Sequence, residues 1–143
     1  MTKMIFVNLP VSDLVRATAF YEAVGATKNP QFSDDTASCM VLSETIYAML
    51  LTHDKFRQFT PKKIADAKTT SEVLICISAD GRDDVDDLVG KATKGGGIAD
   101  PSPKQDYGFM YGRSFEDPDG HIWEVMWMDV AAATKAQAAA VNA

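Results

Sequence analysis

The predicted order of secondary-structure elements repeats between the two halves of this chain of 143 residues. In the first half, runs of apolar and β-branched residues predict strands over 5–11, 36–42 and 45–52. Ser12 and Asp13 are both good N-caps, and the apolar residues that follow them recur at helical spacing until Gly25. This half therefore has the order β-α-β-β, with room for one further short strand.

The second half predicts the same order. Strands are predicted over 72–78, 107–115 and 121–128, and a helix over 82–93 follows the first of them. Three glycines at 95–97 predict the end of that helix. One half of about 60 residues buries too little apolar surface to be stable by itself, so the two halves are expected to pair.

The segments outside these halves are polar or alanine-rich. Residues 53–70 carry several lysines and are interrupted by Pro61, which predicts a linker with one or two helical turns. Residues 131–143 lack an apolar stripe, which predicts a marginal helix or a frayed tail. The predicted limits are a single domain over 1–130, made of module one at about 4–52 and module two at about 71–129.

Charge and cysteine content exclude several classes of function. The formal net charge of −6 disfavours binding to nucleic acids and to anionic membrane surfaces. No apolar run approaches the roughly 18 residues of a membrane-spanning helix, and the first residues do not resemble a signal peptide. Cys39 and Cys76 lie far apart and form no CxxC motif, so we expect a cytoplasmic protein without a disulfide framework.

Two segments carry a resemblance to a known family. Residues 7–14, followed by Phe20, Tyr21 and Gly25, resemble the opening of the vicinal oxygen chelate superfamily, which includes glyoxalase I, bleomycin and fosfomycin resistance proteins and extradiol dioxygenases. Residues 115–125 resemble its closing hairpin. The order of elements between them also agrees, so the resemblance covers about residues 4–129.

The resemblance implies an α+β fold in which paired βαβββ modules form a cupped, barrel-like sheet. It also implies a homodimer, because members of this superfamily pair their modules within or between chains. The function it implies is binding of a small organic molecule in the cup, as bleomycin resistance proteins do. The alternative is a lyase or isomerase of the glyoxalase I type, and one fold can host both.

The metal-dependent members of this superfamily hold one divalent metal with side chains from four strands. The matching positions in this chain are Phe6, Leu50, Leu74 and Glu124, so one of the four is a ligand. Zinc, nickel or iron requires at least three good ligands, so we expect no cofactor. The alternative with a divalent metal would use Glu124, since His53 and His121 fall on opposite strand faces from the matching positions.

A possible salt bridge leaves the role of Glu124 open. A four-residue loop over 117–120 would place Arg113 directly opposite Glu124 in the closing hairpin. Glu124 is then either the structural partner of Arg113, or part of a polar anchor for a ligand, or a general base or metal ligand.

Strand alternation around this pair predicts the wall of a mainly apolar cavity. For Leu50 and Leu74 the favoured alternative is a place in the core. The predicted ligand-binding residues are Phe6, Asn8, Leu50, Leu74, Cys76, Tyr111, Arg113, Glu124 and Met126, with Glu124 as the candidate catalytic residue.

Overall fold

A computed structural model describes residues 2–141 of the chain. Met1, Asn142 and Ala143 lie outside the described residues, so the end of the predicted tail does too. The fold is α+β, with two sheets that do not close, which confirms the predicted pair of modules and cupped sheet. No helix in the described part of the chain is long and apolar enough to cross a membrane.

Module one forms a four-stranded sheet, here called sheet one. Strand β1 pairs in parallel with β4, and β3 pairs antiparallel with both β4 and β2. Helix α1 crosses between β1 and β2, and the Asp13 side chain caps its first turn by accepting a hydrogen bond from the Arg16 backbone N–H. The elements of module one are β1 Ile5–Val11, α1 Leu14–Ala23, β2 Thr27–Asn29, β3 Ala37–Val41 and β4 Ile46–Thr52.

Module two forms a five-stranded sheet, here called sheet two. Its order is β5-β9-β8-β6, with the short strand β7 also pairing with β8. The elements are β5 Ile75–Ser78, α3 Arg82–Lys94, β6 Ile98–Ala99, β7 Gln105–Asp106, β8 Met110–Glu116 and β9 Ile122–Met128. The linker contributes one helical turn, α2 His53–Arg57, and the alanine-rich tail forms α4 Val130–Val141.

One hydrophobic core joins the two modules on the helix-covered faces of their sheets. Phe20 of α1 lies 6.0 Å from Phe115 of β8 between ring centroids, and Phe115 stacks on Trp123 of β9. Helix α1 also contacts sheet one, where the Thr18 and Ser38 hydroxyls are 2.8 Å apart. Helix α1 contacts both sheets, and the opposite face of sheet two carries no helix within residues 2–141. On the opposite face of sheet one, the short helix α2 and Phe59 lie over the end that contains Leu51, which is buried.

The glycines at 95–97 end helix α3, as predicted, and also permit a close approach. Gly95 is the C-cap, and Gly96 has a φ of +100°, a conformation that favours glycine. At Gly97, a side chain would collide with the carbonyl oxygen of Glu116 and with the ring of Phe20. The end of α3 can therefore pack directly against β8.

A buried hydrogen-bond network links α1 to the closing hairpin of module two. The Tyr21 hydroxyl donates to Oδ2 of Asp117 at 2.6 Å, and Nε1 of Trp123 donates to the Tyr21 hydroxyl at 3.0 Å. Oδ1 of Asp117 accepts from the backbone N–H groups of Asp119 and His121. Burial raises the pKa of the Asp117 carboxyl above its ordinary value, so the folded chain holds this charge at a cost that the hydrogen bonds offset only in part.

Replacement of Tyr21 by phenylalanine removes the hydroxyl at the centre of this network. Asp117 and Trp123 then each lose a buried partner, so we expect the free energy of unfolding to fall by about 1–3 kcal/mol at neutral pH. Urea denaturation followed by tryptophan fluorescence measures the loss. The matched control is Tyr47→Phe, since the Tyr47 hydroxyl donates to the Glu44 carbonyl at an exposed position. Equal losses in both variants would contradict the role assigned to Tyr21.

Candidate functional site

The loop of the closing hairpin decides which face of sheet two each side chain occupies. It contains five residues, 117–121, because Glu116 pairs with Ile122. The predicted loop of four residues was therefore wrong by one position. Glu124 lies opposite Ser114, and Arg113 lies opposite Val125. Since a shift of one residue in a strand moves a side chain to the other face, Arg113 and Glu124 point to opposite sides of the sheet.

Arg113 pairs with carboxylates on the helix side of sheet two. Its Nε and one terminal nitrogen donate to the two carboxylate oxygens of Asp100 at 3.0 and 2.7 Å, and the other terminal nitrogen donates to Asp86 of α3 at 2.9 Å. These contacts raise the pKa of Arg113 and lower the pKa of Asp100. The salt bridge predicted between Arg113 and Glu124 is absent, and Arg113 has a structural role here.

Tyr111 lies on the same helix-facing side as Arg113, so its predicted place in the ligand cavity was also wrong. Its hydroxyl donates to Oδ1 of Asp86 at 2.7 Å, and the Arg82 guanidinium lies over its ring at 4.4 Å from the centroid. Arg82 also forms a salt bridge with Asp106 of β7. Together these contacts attach the segment 100–106 to helix α3.

Two further predicted wall residues lie elsewhere. Leu50 is fully buried and belongs to the common core, because it shares the helix-facing side of β4 with Ala48. Leu74 precedes β5, which begins at Ile75 rather than at residue 72, and its side chain is 53% exposed. Leu50 therefore has the core position favoured for it, whereas Leu74 lies neither in the core nor in the sheet.

The structure brings three predicted site residues together on the open face of sheet two, the face without a helix. Cys76 of β5 is the direct neighbour of Glu124 in β9, and Met126 follows two positions later on the same face. They line a cavity of about 90 Å³. Its wall also includes Ser102, Pro103, Gln105, Met110, Gly112 and Ser114, and it is bordered by Arg113 and Val125, whose strand positions point to the other face.

Glu124 is the acidic group of this cavity. Within residues 2–141 its side chain forms no salt bridge, and Arg113 faces away from it. Partial burial, followed by the negative charge of Glu124, raises the pKa of the neighbouring Cys76 thiol. The Cys76 thiol is therefore a poor nucleophile at neutral pH.

Several residues of this cavity were missed at the level of sequence. Ser114 and Gly112 were assigned to the wrong face because the loop length was wrong by one residue. Gln105 comes from the short strand β7, which crosses to the edge of the cavity. Ser114 and Gly112 lie two positions apart in β8, so the correct loop length would have placed both on the cavity face. Nothing in the sequence pattern marks Gln105 as a cavity residue.

Sheet one has an open face of its own. Phe6 stacks on Tyr47 of the neighbouring strand, with ring centroids 4.6 Å apart, and remains 47% exposed. Asn8 and Met49 are the next pair along the same face. Phe6 and Asn8 were predicted to share a cavity wall with Glu124. They lie on the open face of sheet one instead, and the cavity that contains Glu124 is lined by residues of module two alone.

The donor set does not fit the divalent metal of the superfamily. Of the four matching positions, Phe6, Leu50 and Leu74 have hydrocarbon side chains, and Glu124 supplies the one ligand. In the part of the chain that the structure describes, no three His, Cys, Asp or Glu side chains converge as a metal site would require. Asn8 and Cys76 do not complete the set, because they line different cavities.

Comparison with known proteins agrees with the fold. A profile described as the Glyoxalase/Bleomycin resistance protein/Dioxygenase superfamily matches residues 3–125. No protein with a curated description matches the chain.

Solved structures of several bacterial proteins are also similar. The hypothetical protein SA1046 from S. aureus is 24% identical, with a TM-score of 0.73 over 89% of this chain and 94% of that one. A glyoxalase/bleomycin resistance protein/dioxygenase family enzyme from Burkholderia phytofirmans is 19% identical, with a TM-score of 0.71 over 89% and 99%. The fosfomycin resistance protein FosX from Listeria monocytogenes is 18% identical, with a TM-score of 0.62 over 89% and 91%. At these identities the similarity establishes the fold.

Replacement of Arg113 by methionine tests the assignment of its partners. It leaves Asp86 and Asp100 without their shared counter-charge, so we expect the free energy of unfolding to fall by about 1–2 kcal/mol. Hydrogen exchange should become faster in residues 99–107, which Arg113 attaches to α3. The control is Lys91→Met, which removes an exposed helical pair with Asp87. Faster exchange around Glu124 without a change at 99–107 would contradict the assignment.

Proposed function

The chain belongs to the glyoxalase/bleomycin resistance protein/dioxygenase superfamily, and from this premise we propose that it binds a small organic molecule at the open face of sheet two. The observation that carries the proposal is the Glu124 carboxylate, which lies in a cavity and has no salt bridge among residues 2–141. A partly buried carboxylate without a counter-charge retains its capacity to accept hydrogen bonds. A ligand with an N–H or O–H donor uses that capacity.

The remaining walls indicate the chemistry of the ligand. Met110, Met126 and the Cys76 thiol offer polarisable sulfur surfaces, which pack well against aromatic rings. The Ser114 hydroxyl and the Gln105 amide offer further hydrogen bonds at the margin. We therefore propose an aromatic or apolar body that carries a donor group directed at Glu124. The two free cysteines, Cys39 and Cys76, support a cytoplasmic location for this activity.

We propose further that binding requires no metal. The support is chemical, since hydrocarbon side chains replace three of the four superfamily ligand positions. The raised pKa of Cys76 also favours the thiol over the thiolate that a soft metal prefers. A metal-dependent lyase of the glyoxalase I type would need ligands that the described side chains do not bring together.

A second copy of the chain completes the cavity in this proposal. A volume of about 90 Å³ is smaller than the several hundred Å³ of a usual ligand site, so another surface must cover it. The end of the open face of sheet one that carries Phe6 and Tyr47 is an apolar surface of the same chain that also lacks a cover. A two-fold dimer that sets sheet one of each copy against sheet two of the other covers both faces at once.

Light scattering at micromolar concentration tests the dimer. We expect a mass near twice the 15.5 kDa of one chain. Phe6→Glu places a charge in the proposed interface and should yield the monomer, because an unpaired buried charge is costly. Val15→Glu is the control, since Val15 is an exposed apolar residue of α1 on the other side of the sheet. A wild-type mass near 15.5 kDa would contradict the dimer.

Replacement of Glu124 by glutamine tests the ligand anchor. A thermal-shift screen of aromatic antibiotics, thiol adducts of aldehydes and divalent metals first identifies a probe. Glu124→Gln should then weaken the affinity of an organic probe about tenfold or more, because it removes a charge-assisted hydrogen bond. The free energy of unfolding should stay within about 0.5 kcal/mol of the wild type, since no salt bridge is lost.

The matched control for this experiment is Glu44→Gln, an exposed position between β3 and β4. An unchanged affinity together with a lowered melting temperature would leave Glu124 with a structural role alone. Stoichiometric nickel, zinc or iron in protein purified without chelators would contradict the metal-free site and favour the lyase.

A further inference from the structure

A second cavity lies between the linker and the closing hairpin, beside Pro10 at one end of the open face of sheet one. It has a volume of about 840 Å³ and is walled by residues 60–68 on one side and by Asp119 and His121 on the other. Arg57, Lys62, Lys63 and Lys68 line it, together with His53. The carboxylates among its lining residues are Asp66 and Asp119, so four permanent positive charges face two negative ones.

The positive charge of this region contrasts with the rest of the chain. Residues 53–68, here called the basic segment, contain five of the 14 lysines and arginines and two of the 20 acidic residues. The protein as a whole carries a net charge of −6. Concentrating cations at one cavity of an acidic protein raises the local potential and attracts anions to that cavity.

The lysines of the basic segment have no charged partner within residues 2–141. Arg57 pairs with Asp54 at 2.9 Å, whereas Lys62, Lys63 and Lys68 form no salt bridge with any described residue. Asp119 forms no salt bridge with these lysines, and its Oδ1 accepts from the backbone N–H and the hydroxyl of Ser12. The three ammonium groups are therefore available to an anion from solution.

The walls of this cavity are held in place by backbone contacts. Oδ1 of Asp66 accepts from the Lys68 backbone N–H at 3.0 Å, and its carbonyl accepts from the backbone N–H groups of Thr69 and Thr70. At Gly120, where φ is +95°, a side chain would come within 2.8 Å of the Ala67 carbonyl carbon. The linker therefore packs directly on the hairpin turn, which leaves a preformed cavity beside the contact.

An apolar cavity of about 270 Å³ adjoins the basic one. The two share Lys62 and Lys63 in their linings. The adjoining cavity adds the apolar side chains of Phe56, Val73 and Ile122, together with Asn8 and Glu72. A molecule that fits both cavities has an anionic end and a compact apolar body.

We propose that the basic segment and the adjoining cavity form a second ligand site, which binds an organic phosphate monoester with an aromatic or branched apolar group. The phosphate contacts Lys62, Lys63 and Lys68, and the apolar group enters beside Phe56. A phosphate dianion matches several unpaired ammonium groups better than a single carboxylate does, because it offers three charged oxygens. This site is separate from the Glu124 cavity and does not depend on the function proposed there.

Isothermal titration calorimetry with naphthyl phosphate tests the site. Naphthyl phosphate should bind the wild-type protein, naphthol should bind at least about tenfold more weakly, and inorganic phosphate should also bind more weakly. The double variant Lys62→Gln with Lys63→Gln should lose about tenfold or more in affinity for naphthyl phosphate. Its affinity should also depend less on salt, because fewer charges contribute.

The matched control is Lys91→Gln with Lys94→Gln, which makes the same change in net charge on the exposed side of α3. It should leave the affinity for naphthyl phosphate unchanged. Equal losses in the two double variants would overturn the site and indicate a general charge effect. Absence of binding at millimolar naphthyl phosphate would also overturn it. Loss of binding in Glu124→Gln, with none in the Lys62 and Lys63 variant, would place the ligand in the other cavity.

Discussion

The hydrogen bond from Tyr21 to the buried Asp117 carboxylate fixes how the two modules sit together. It joins helix α1 of module one to the hairpin turn of module two, and the Trp123 indole adds a second contact to the same hydroxyl. Burial raises the pKa of Asp117, so an ionised carboxylate is retained there at a cost in folding free energy. In return, the network fixes the orientation of the two modules. The Tyr21 hydroxyl, the Trp123 indole and two backbone N–H groups of the turn must all meet at this point.

The position of the helices follows from this junction, and the position of the candidate site follows from the helices. With α1 and α3 packed into the common core, the face of sheet two that carries Glu124 is left without a helix, and so is the Phe6 end of the open face of sheet one. On sheet two that face holds Glu124 and the Cys76 thiol among methionine side chains. The ion pairs of Arg82 and Arg113 hold the segment 100–106, whose residues Ser102 and Pro103 form part of the same cavity wall.

The elements of the fold could be predicted from the sequence far better than the faces of its strands. The N-cap at Asp13 and the glycines at 95–97 mark the helix ends correctly, since these signals are local. The number of residues in the loop over 117–121 could not be predicted from the sequence, because Asp117 also accepts backbone hydrogen bonds inside the turn. Because the loop contains this one extra residue, Ser114 lies opposite Glu124 in place of the predicted Arg113. Glu124 therefore has no salt bridge where one was predicted.

The central claim is that the open faces of the two sheets meet across two copies of the chain and enclose the Glu124 cavity. The most direct test is an isotope-filtered NOE spectrum of a mixture of labelled and unlabelled chains. The account predicts intermolecular contacts from the methyl groups of Met110 and Met126 to the rings of Phe6 and Tyr47. A spectrum in which these methyl groups show no intermolecular contacts with the two rings, although the protein is dimeric, would contradict it.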